Sequence, residues 1–296
     1  MTTINNNIKS IEDELTTITY EEIINDKKYT NKYLNKQYKK FKKMSVEKNK
    51  NTFICNKLIY NFFYQELLNT RRKTNITFND LFHNDKDRYD KHLKSVIKRN
   101  RGGSKCSRIV EAWRINGGSI VFFKPYTAKY IYKLFNAKKV LDFTAGWGGR
   151  LIGATSLDVD YIGIDTNTNL IEPYKKMIEF IKPKSKVKMI YENCLNVDFS
   201  KLDYDFVLTS PPYNNLEIYS NMKLFENDDD FYKNFLIPMI DKSLKYIKNN
   251  GFVCINISPE MYKKLITKYN YKSCKKEIPL KEQKNGKVSD LIYCWN

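Results

Sequence analysis

Residues 138–167 read KKVLDFTAGWGGRLIGATSLDVDYIGIDTN. KKVLDF and DYIGID are apolar runs of strand length, and GRLIGATSL between them reads as a helix. The stretch is thus a strand, a glycine-rich turn, a helix and a second strand. That succession is the unit of a parallel sheet, because a strand returning parallel to its predecessor needs a crossover, usually helical. Gly146, Gly148 and Gly149 occupy the turn, where glycine permits positive φ and lets a ligand touch the backbone. Asp165 closes the second strand 19 residues after Gly146, the distance at which an acidic side chain meets the hydroxyls of a ribose. Loop and acid together point to an adenosine-containing cofactor, with a dinucleotide still open.

The alternation continues outward. EPYKKMIEFIK is a helix with Pro173 in its first turn, KVKMIYE and YDFVLT are strands, and residues 228–248 form a helix with a kink expected near Pro238. GFVCINIS is another strand, and YKSCKKEIPL and SDLIYCWN flank a turn at Asn285 and Gly286 and read as an antiparallel hairpin. Residues 116–296 are therefore expected to form an α/β domain with a doubly wound, mostly parallel sheet, helices on both faces and a C-terminal antiparallel hairpin. Residues 1–115 are mainly helical, with apolar and aromatic residues at three and four spacing in FICNKLIYNFFYQELL that suit a packed core better than a stacking platform. KRNRGGSKCSR and RINGGS carry glycine pairs in a basic stretch and read as a loop or hinge at the boundary.

With 296 residues and 42% hydrophobic content the chain can bury a sizeable core. Its formal charge is +19 and unevenly spread: residues 1–115 hold 25 Lys or Arg against 13 Asp or Glu. A polyanion is the partner such a front suits, although a bias toward Lys, Asn, Ile and Tyr in the coding sequence would produce lysines too. The six cysteines never approach CxxC spacing, and His83 and His92 lie far from most of them, so neither a zinc site nor a disulfide framework is expected. No apolar run spans a bilayer and the N-terminus lacks the hydrophobic centre of a signal peptide; the expectation is a soluble, intracellular protein.

Residues 208–215, LTSPPYNN, follow directly on the strand run YDFVLT. Two consecutive prolines end the sheet ladder and freeze the chain in an extended form, leaving the carbonyls facing outward as acceptors at the strand's carboxyl end. Glycine loop, acid and SPPY, in that order, resemble the amino-methyltransferases of DNA, enzymes that use S-adenosylmethionine and carry Asp, Asn or Ser before Pro-Pro-Tyr or Pro-Pro-Phe. FFKPYTAKYIYKLF followed by KKVLDFTAGWGGRLIGA is similar to that family's Lys-Pro, short helix and Asp-Pro-Phe glycine loop. The likeness covers about residues 120–260. It implies a Rossmann-like class I methyltransferase sheet.

Carried over by position, the resemblance implies that Phe123 and Lys124 border the methionine end of the cofactor and that Asp142, Phe143, Gly146 and Gly148 line the loop around it. Asp165 would take the ribose hydroxyls. Where the family has an acidic residue toward the adenine amino group, this chain has Asn193, with Asp198 the alternative; Trp147 and Arg150 suit packing as well as cofactor contact. Ser210, Pro211, Pro212 and Tyr213 would form the catalytic corner, where acceptors draw an exocyclic amino nitrogen of a flipped base toward a pyramidal, nucleophilic state and the tyrosine stacks on the base. No metal is implied. Ring-carbon methylation is disfavoured because no proline is followed by cysteine. Serine at the first position favours cytosine over adenine.

The expected partner is DNA, with RNA as an alternative, and Lys98, Arg99, Arg101, Lys105 and Arg108 are the expected phosphate contacts beside Gly102 and Gly103. A methyltransferase fold that binds nucleic acid without catalysis is the third reading.

Overall fold

The computed structural model describes residues 17–47, 52–72, 76–99, 103–117, 120–212, 217–218, 224–282 and 288–296. Its centre is a seven-stranded sheet of β2 (Lys139–Asp142), β3 (Asp160–Asp165), β4 (Val187–Tyr191), β5 (Phe206–Thr209), β7 (Phe252–Ile257), β8 (Lys276–Glu282) and β9 (Val288–Trp295), ordered β4-β3-β2-β5-β7-β9-β8. β4, β3, β2, β5 and β7 run parallel, while β9 is antiparallel to β7 and β8 to β9. This is the expected Rossmann-like sheet with its terminal hairpin; the turn at Asn285 and Gly286 lies outside the described residues. The chain leaves β2 toward β3 and β4 on one side and returns to β5 on the other, so strand order reverses between β2 and β5. At that point the loops part and leave a crevice.

Alternation along the strands divides the apolar residues between the two faces. Val140, Phe206, Leu208 and Cys254 join one cluster, and Leu141, Val207, Val253 and Ile255 the other. The second face is covered by α10 (Asp228–Phe231), α11 (Ile237–Tyr246) and α12 (Pro259–Thr267). Between α10 and α11 lies a π-helical turn, Tyr232–Leu236, just before Pro238. The expected irregularity therefore takes the form of a widened turn, which absorbs the hydrogen bond that proline cannot donate.

The first face is covered by α7 (Pro125–Leu134), α8 (Gly149–Thr155) and α9 (Ile171–Ile181), and by helices of the basic front: α1 (Tyr20–Asn25), α2 (Asn31–Lys43), α3 (Asn56–Leu68), α4 (Phe78–Asn84), α5 (Lys86–Arg99) and α6 (Lys105–Gly117). Ile23, Leu34, Phe41, Ile59, Phe63 and Trp113 of the front lie in the same apolar cluster as Val140 and Tyr161 of the sheet, so one core runs across residue 116. Two expectations are corrected. Residues 105–117 are a helix rather than a hinge, because Ile109, Val110, Ala112 and Trp113 form a buried stripe that outweighs the nearby glycines. Cys254 and Cys294 form a disulfide, brought opposite each other by the β7–β9 register, a pairing that local spacing cannot reveal.

Among the described residues no helix is long and apolar enough to cross a membrane, and no three His, Cys, Asp or Glu side chains gather to hold a metal ion.

Front and sheet are also joined by one buried charge. Lys129 of α7 is 2% exposed, and its Nζ donates to the carbonyls of Phe41, Lys42 and Met44 at 2.5, 3.1 and 2.9 Å, capping the C-terminal end of α2. An ammonium satisfies carbonyls that the helix leaves without partners and complements its negative end. Lys129→Met keeps the stem and removes these bonds, and is expected to cost about 2–3 kcal/mol in urea unfolding, with Lys129→Arg losing less.

Candidate active site

The carboxyl ends of β2, β3, β4 and β5 meet at the crevice. Asp142 ends β2 with no exposure and accepts three hydrogen bonds: from Arg150 Nε at 2.6 Å, Tyr161 Oη at 2.6 Å and Thr209 Oγ1 at 2.8 Å. Arg150 donates further to the carbonyl of Thr144. Burial alone would lower the guanidinium's pKa, but the neighbouring carboxylate of Asp142 overrides it and raises the pKa. Asp142 thus supports the loop from beneath with its carboxylate turned to protein partners. Arg150, weighed above as a partner for a cofactor carboxylate, is 4% exposed and committed to Asp142 and Thr144.

Above this pair the loop opens. Gly146 has φ +58°, and a methyl added to it would rest in ordinary contact with Thr144 O at 3.8 Å and Arg150 Nη2 at 3.9 Å, so it is the backbone conformation rather than crowding that favours glycine there. Gly148, φ +75°, faces inward, where a methyl would lie 2.6 Å from Met177 Cε and 3.2 Å from Phe63. Trp147 is buried in the core, its packing role, and Phe143 is buried under the loop. The carbonyl of Phe123 packs against Gly149, while Lys124 stands over the exposed ring of Phe53, 4.7 Å from its centroid.

Asp165 ends β3 beside the loop. Its Oδ2 accepts from Gly146 N at 2.7 Å and its Oδ1 from Asn167 N at 2.9 Å. Burial nevertheless pushes its carboxyl up to about 6, against the lowering effect of those two donors. A cavity of 180 Å³ lies before it, lined by Phe143, Glu192, Asn193, Leu195, Pro212 and Phe235 among others. The glycine loop's strand end, Asp165, Asn193 and the proline motif therefore share one space. Asp198 lies outside that lining; it is exposed and caps the short turn at Ser200. Asn193 Oδ1 accepts from Leu195 N at 3.0 Å, an oxygen with a second lone pair remaining. Burial pushes the thiol of Cys194 up to about 12, which makes it an apolar wall residue rather than a nucleophile.

Ser210, Pro211 and Pro212 follow the end of β5 outside any helix, strand or turn; Tyr213 lies outside the described residues. Ser210 Oγ donates to Asn256 Oδ1 at 3.3 Å, and Asn256 is itself fixed by donating to Leu291 O at 2.8 Å. The serine proton is thereby directed inward and the oxygen's acceptor capacity outward. Asn256 and Thr209 were not singled out in the sequence, and Thr144 stood out only as a departure from the resembled family's loop. The one signal for Asn256 is a polar residue inside the apolar run GFVCINIS, and the pairing of the two threonines, Oγ1 to Oγ1 2.5 Å, has none. Glu192, which follows β4 and lines the cavity, was also missed.

Of the expected phosphate contacts, Lys98 and Arg99 fall in the last turn of α5, Lys105 is exposed at the start of α6, and Arg101 lies outside the described residues. Arg108 is half-buried in α6, with Nε and Nη2 turned inward. Gly103 follows the undescribed residues with φ +128°.

No family model and no curated protein matches the chain. Among solved structures it is similar to a tRNA m1G37 methyltransferase of M. jannaschii, at 21% identity over 60% of this chain and 51% of that one, with a TM-score of 0.39. It is also similar to an rRNA methylase of Streptococcus thermophilus (10% identity, 60% and 99% covered, TM-score 0.42) and to the putative methyltransferase yhhF of Escherichia coli (13%, 57% and 85%, 0.38). The chain spans about half the length of the first of these. Likeness at this level carries no statement about substrate or chemistry.

Asp165 gives a stability signature. Its folded pKa, about 6, lies above the unfolded value of 3.8, so folding favours the protonated form and this contribution is lost as pH rises through 6. Replacing it by Asn removes the dependence. The stability difference between wild type and Asp165→Asn should shift by roughly 2–3 kcal/mol in favour of the variant between about pH 4 and pH 6.5, then stay level, by urea unfolding of the ligand-free proteins. A difference independent of pH contradicts the raised pKa.

Proposed function

We propose that the chain is a methyltransferase that uses S-adenosylmethionine to methylate the exocyclic amino group of cytosine or adenine in DNA, the serine of the motif favouring cytosine. The observation that carries the reading is that Asp165 and Pro212, 47 residues apart, line one cavity at the switch point of the sheet. An acid suited to ribose and a proline-held acceptor corner in one crevice are what an adenosine-bearing donor and a base require together. The net charge of +19 supports a nucleic acid as the substrate.

The residues present fit the adenosine part of the cofactor: the cavity before Asp165 offers that residue's carboxylate and an acceptor at Asn193. Asp165 would hold the ribose hydroxyls, Asn193 the adenine amino group, and Phe123 and Lys124 the methionine end. When bound, the cofactor supplies an electrophilic sulfonium methyl. Ser210 Oγ and the Pro211 carbonyl accept from the two hydrogens of the base's amino group, which localises the nitrogen lone pair and readies it for attack. The two prolines and the Ser210–Asn256 bond hold those acceptors in place, so little reorganisation accompanies the developing charge. Tyr213 stacks on the base outside the duplex.

Incubation with methyl-labelled S-adenosylmethionine and separate DNA, RNA and protein pools tests the reading. Label in DNA, found by mass spectrometry on an exocyclic nitrogen, is expected; label confined to RNA moves the substrate, and no label in any pool overturns the activity. Asp165→Ala should abolish cofactor binding in calorimetry. Ser210→Ala and Pro212→Ala should lower kcat by about 10²–10³ while cofactor affinity stays near wild type.

A further inference from the structure

Arginine is scarce in this chain: 8 of 52 basic residues, of which 7 fall between residues 71 and 114. A lysine-biased coding sequence does not explain that concentration. Arg71 and Arg72 are adjacent and form the whole of β1, a strand that pairs antiparallel with β6 (Glu217–Ile218), Arg71 opposite Ile218 and Arg72 opposite Glu217.

The placement of this ribbon is what matters. On one side β1 follows α3, which is fixed against the glycine loop. Phe63 of α3 packs at Gly148 and edge-on against Tyr174 at 5.0 Å, and Tyr174 Oη donates to Gly146 O at 2.9 Å. Thr70, 1% exposed, closes the helix by donating to Glu66 O at 2.9 Å, immediately before the two arginines. On the other side β6 begins five residues after Pro212, which limits its distance from the motif to about 17 Å of extended chain. Both arginines are half-buried, a setting in which a guanidinium is weakly hydrated and still reachable.

Resting on the reading of the site as a nucleic-acid methyltransferase, we propose that Arg71 and Arg72 form a phosphate-binding rim that grips the strand carrying the target base next to the Ser210–Pro212 corner. Two adjacent planar forks on a paired strand suit backbone phosphates, which each fork can take through two donors. Phosphate contacts fix register and orientation without reading sequence. The rim is separate from the basic residues 98–108. It makes the front of the chain a positioning part of the catalytic unit.

The test measures affinity for mixed-sequence DNA and RNA 30-mers, single- and double-stranded, over a salt series, using wild type, Arg71→Ala/Arg72→Ala, Arg71→Lys/Arg72→Lys and the surface control Lys175→Ala/Lys184→Ala. The alanine pair should weaken binding of the preferred nucleic acid at least tenfold and lower the log–log salt slope by about 1.4 to 1.8, the value of two phosphate contacts. The lysine pair should keep most of the slope, and the control should stay within twofold of wild type. Cofactor binding by calorimetry should be the same in all four, which excludes misfolding as the cause. An unchanged slope in the alanine pair, or an equal change in the control, overturns the rim and leaves the proposed function standing. A wild type that binds no nucleic acid of either kind overturns both.

Discussion

The ion pair between Asp142 and Arg150 is the constraint on which the site depends. It joins the end of β2 to the first turn of α8 and, through Tyr161 and Thr209, to β3 and β5. These are the strands on either side of the switch point. A buried pair of this kind is tolerable only when its remaining hydrogen-bonding capacity is met, and here Asp142 also accepts from Tyr161 and Thr209 while Arg150 also donates to the Thr144 carbonyl. Its effect is geometric: the glycine loop above cannot drift from the proline motif beside it, because both are anchored to one carboxylate. The cavity before Asp165 keeps its shape for that reason.

The helical front contributes a second set of constraints. Lys129 fastens the end of α2, Lys42 reaches Asp158 at 2.9 Å, and Tyr126 Oη takes the backbone N–H of Glu47 at 2.9 Å. α3 rests on Gly148, so the cofactor loop is clasped between the sheet and the front. A glycine at that position answers to a neighbouring helix as much as to any ligand: a side chain on Gly148 would run into Phe63 and Met177.

Much of the sheet was legible because its signals are local. Each strand is a short apolar run with a turn beside it, and DYIGID and GFVCINIS matched their strands to within two residues at either end. The SPPY motif and Asp165 could be placed at strand ends for the same reason. What stayed hidden depends on pairing across the chain: the disulfide of Cys254 and Cys294, the β1–β6 ribbon, and the partners of Arg150. Side-chain chemistry does not say whether an arginine after a glycine loop faces a ligand or a buried aspartate; only the packing of β2 against α8 decides it. Residues 105–117 were misread because glycine pairs were given more weight than the stripe from Ile109 to Trp113.

The continuous apolar core across residue 116 has an evolutionary consequence. Many enzymes change what they recognise by exchanging a self-contained appendage, as a tool takes a new head. Here Ile59, Phe63 and Phe41 belong to the same apolar cluster as Val140 and Tyr161 of the sheet, and severing the front would open that cluster to water. Exchange of the whole front would therefore cost the sheet part of its core, whereas substitutions on the front's surface would leave that core intact.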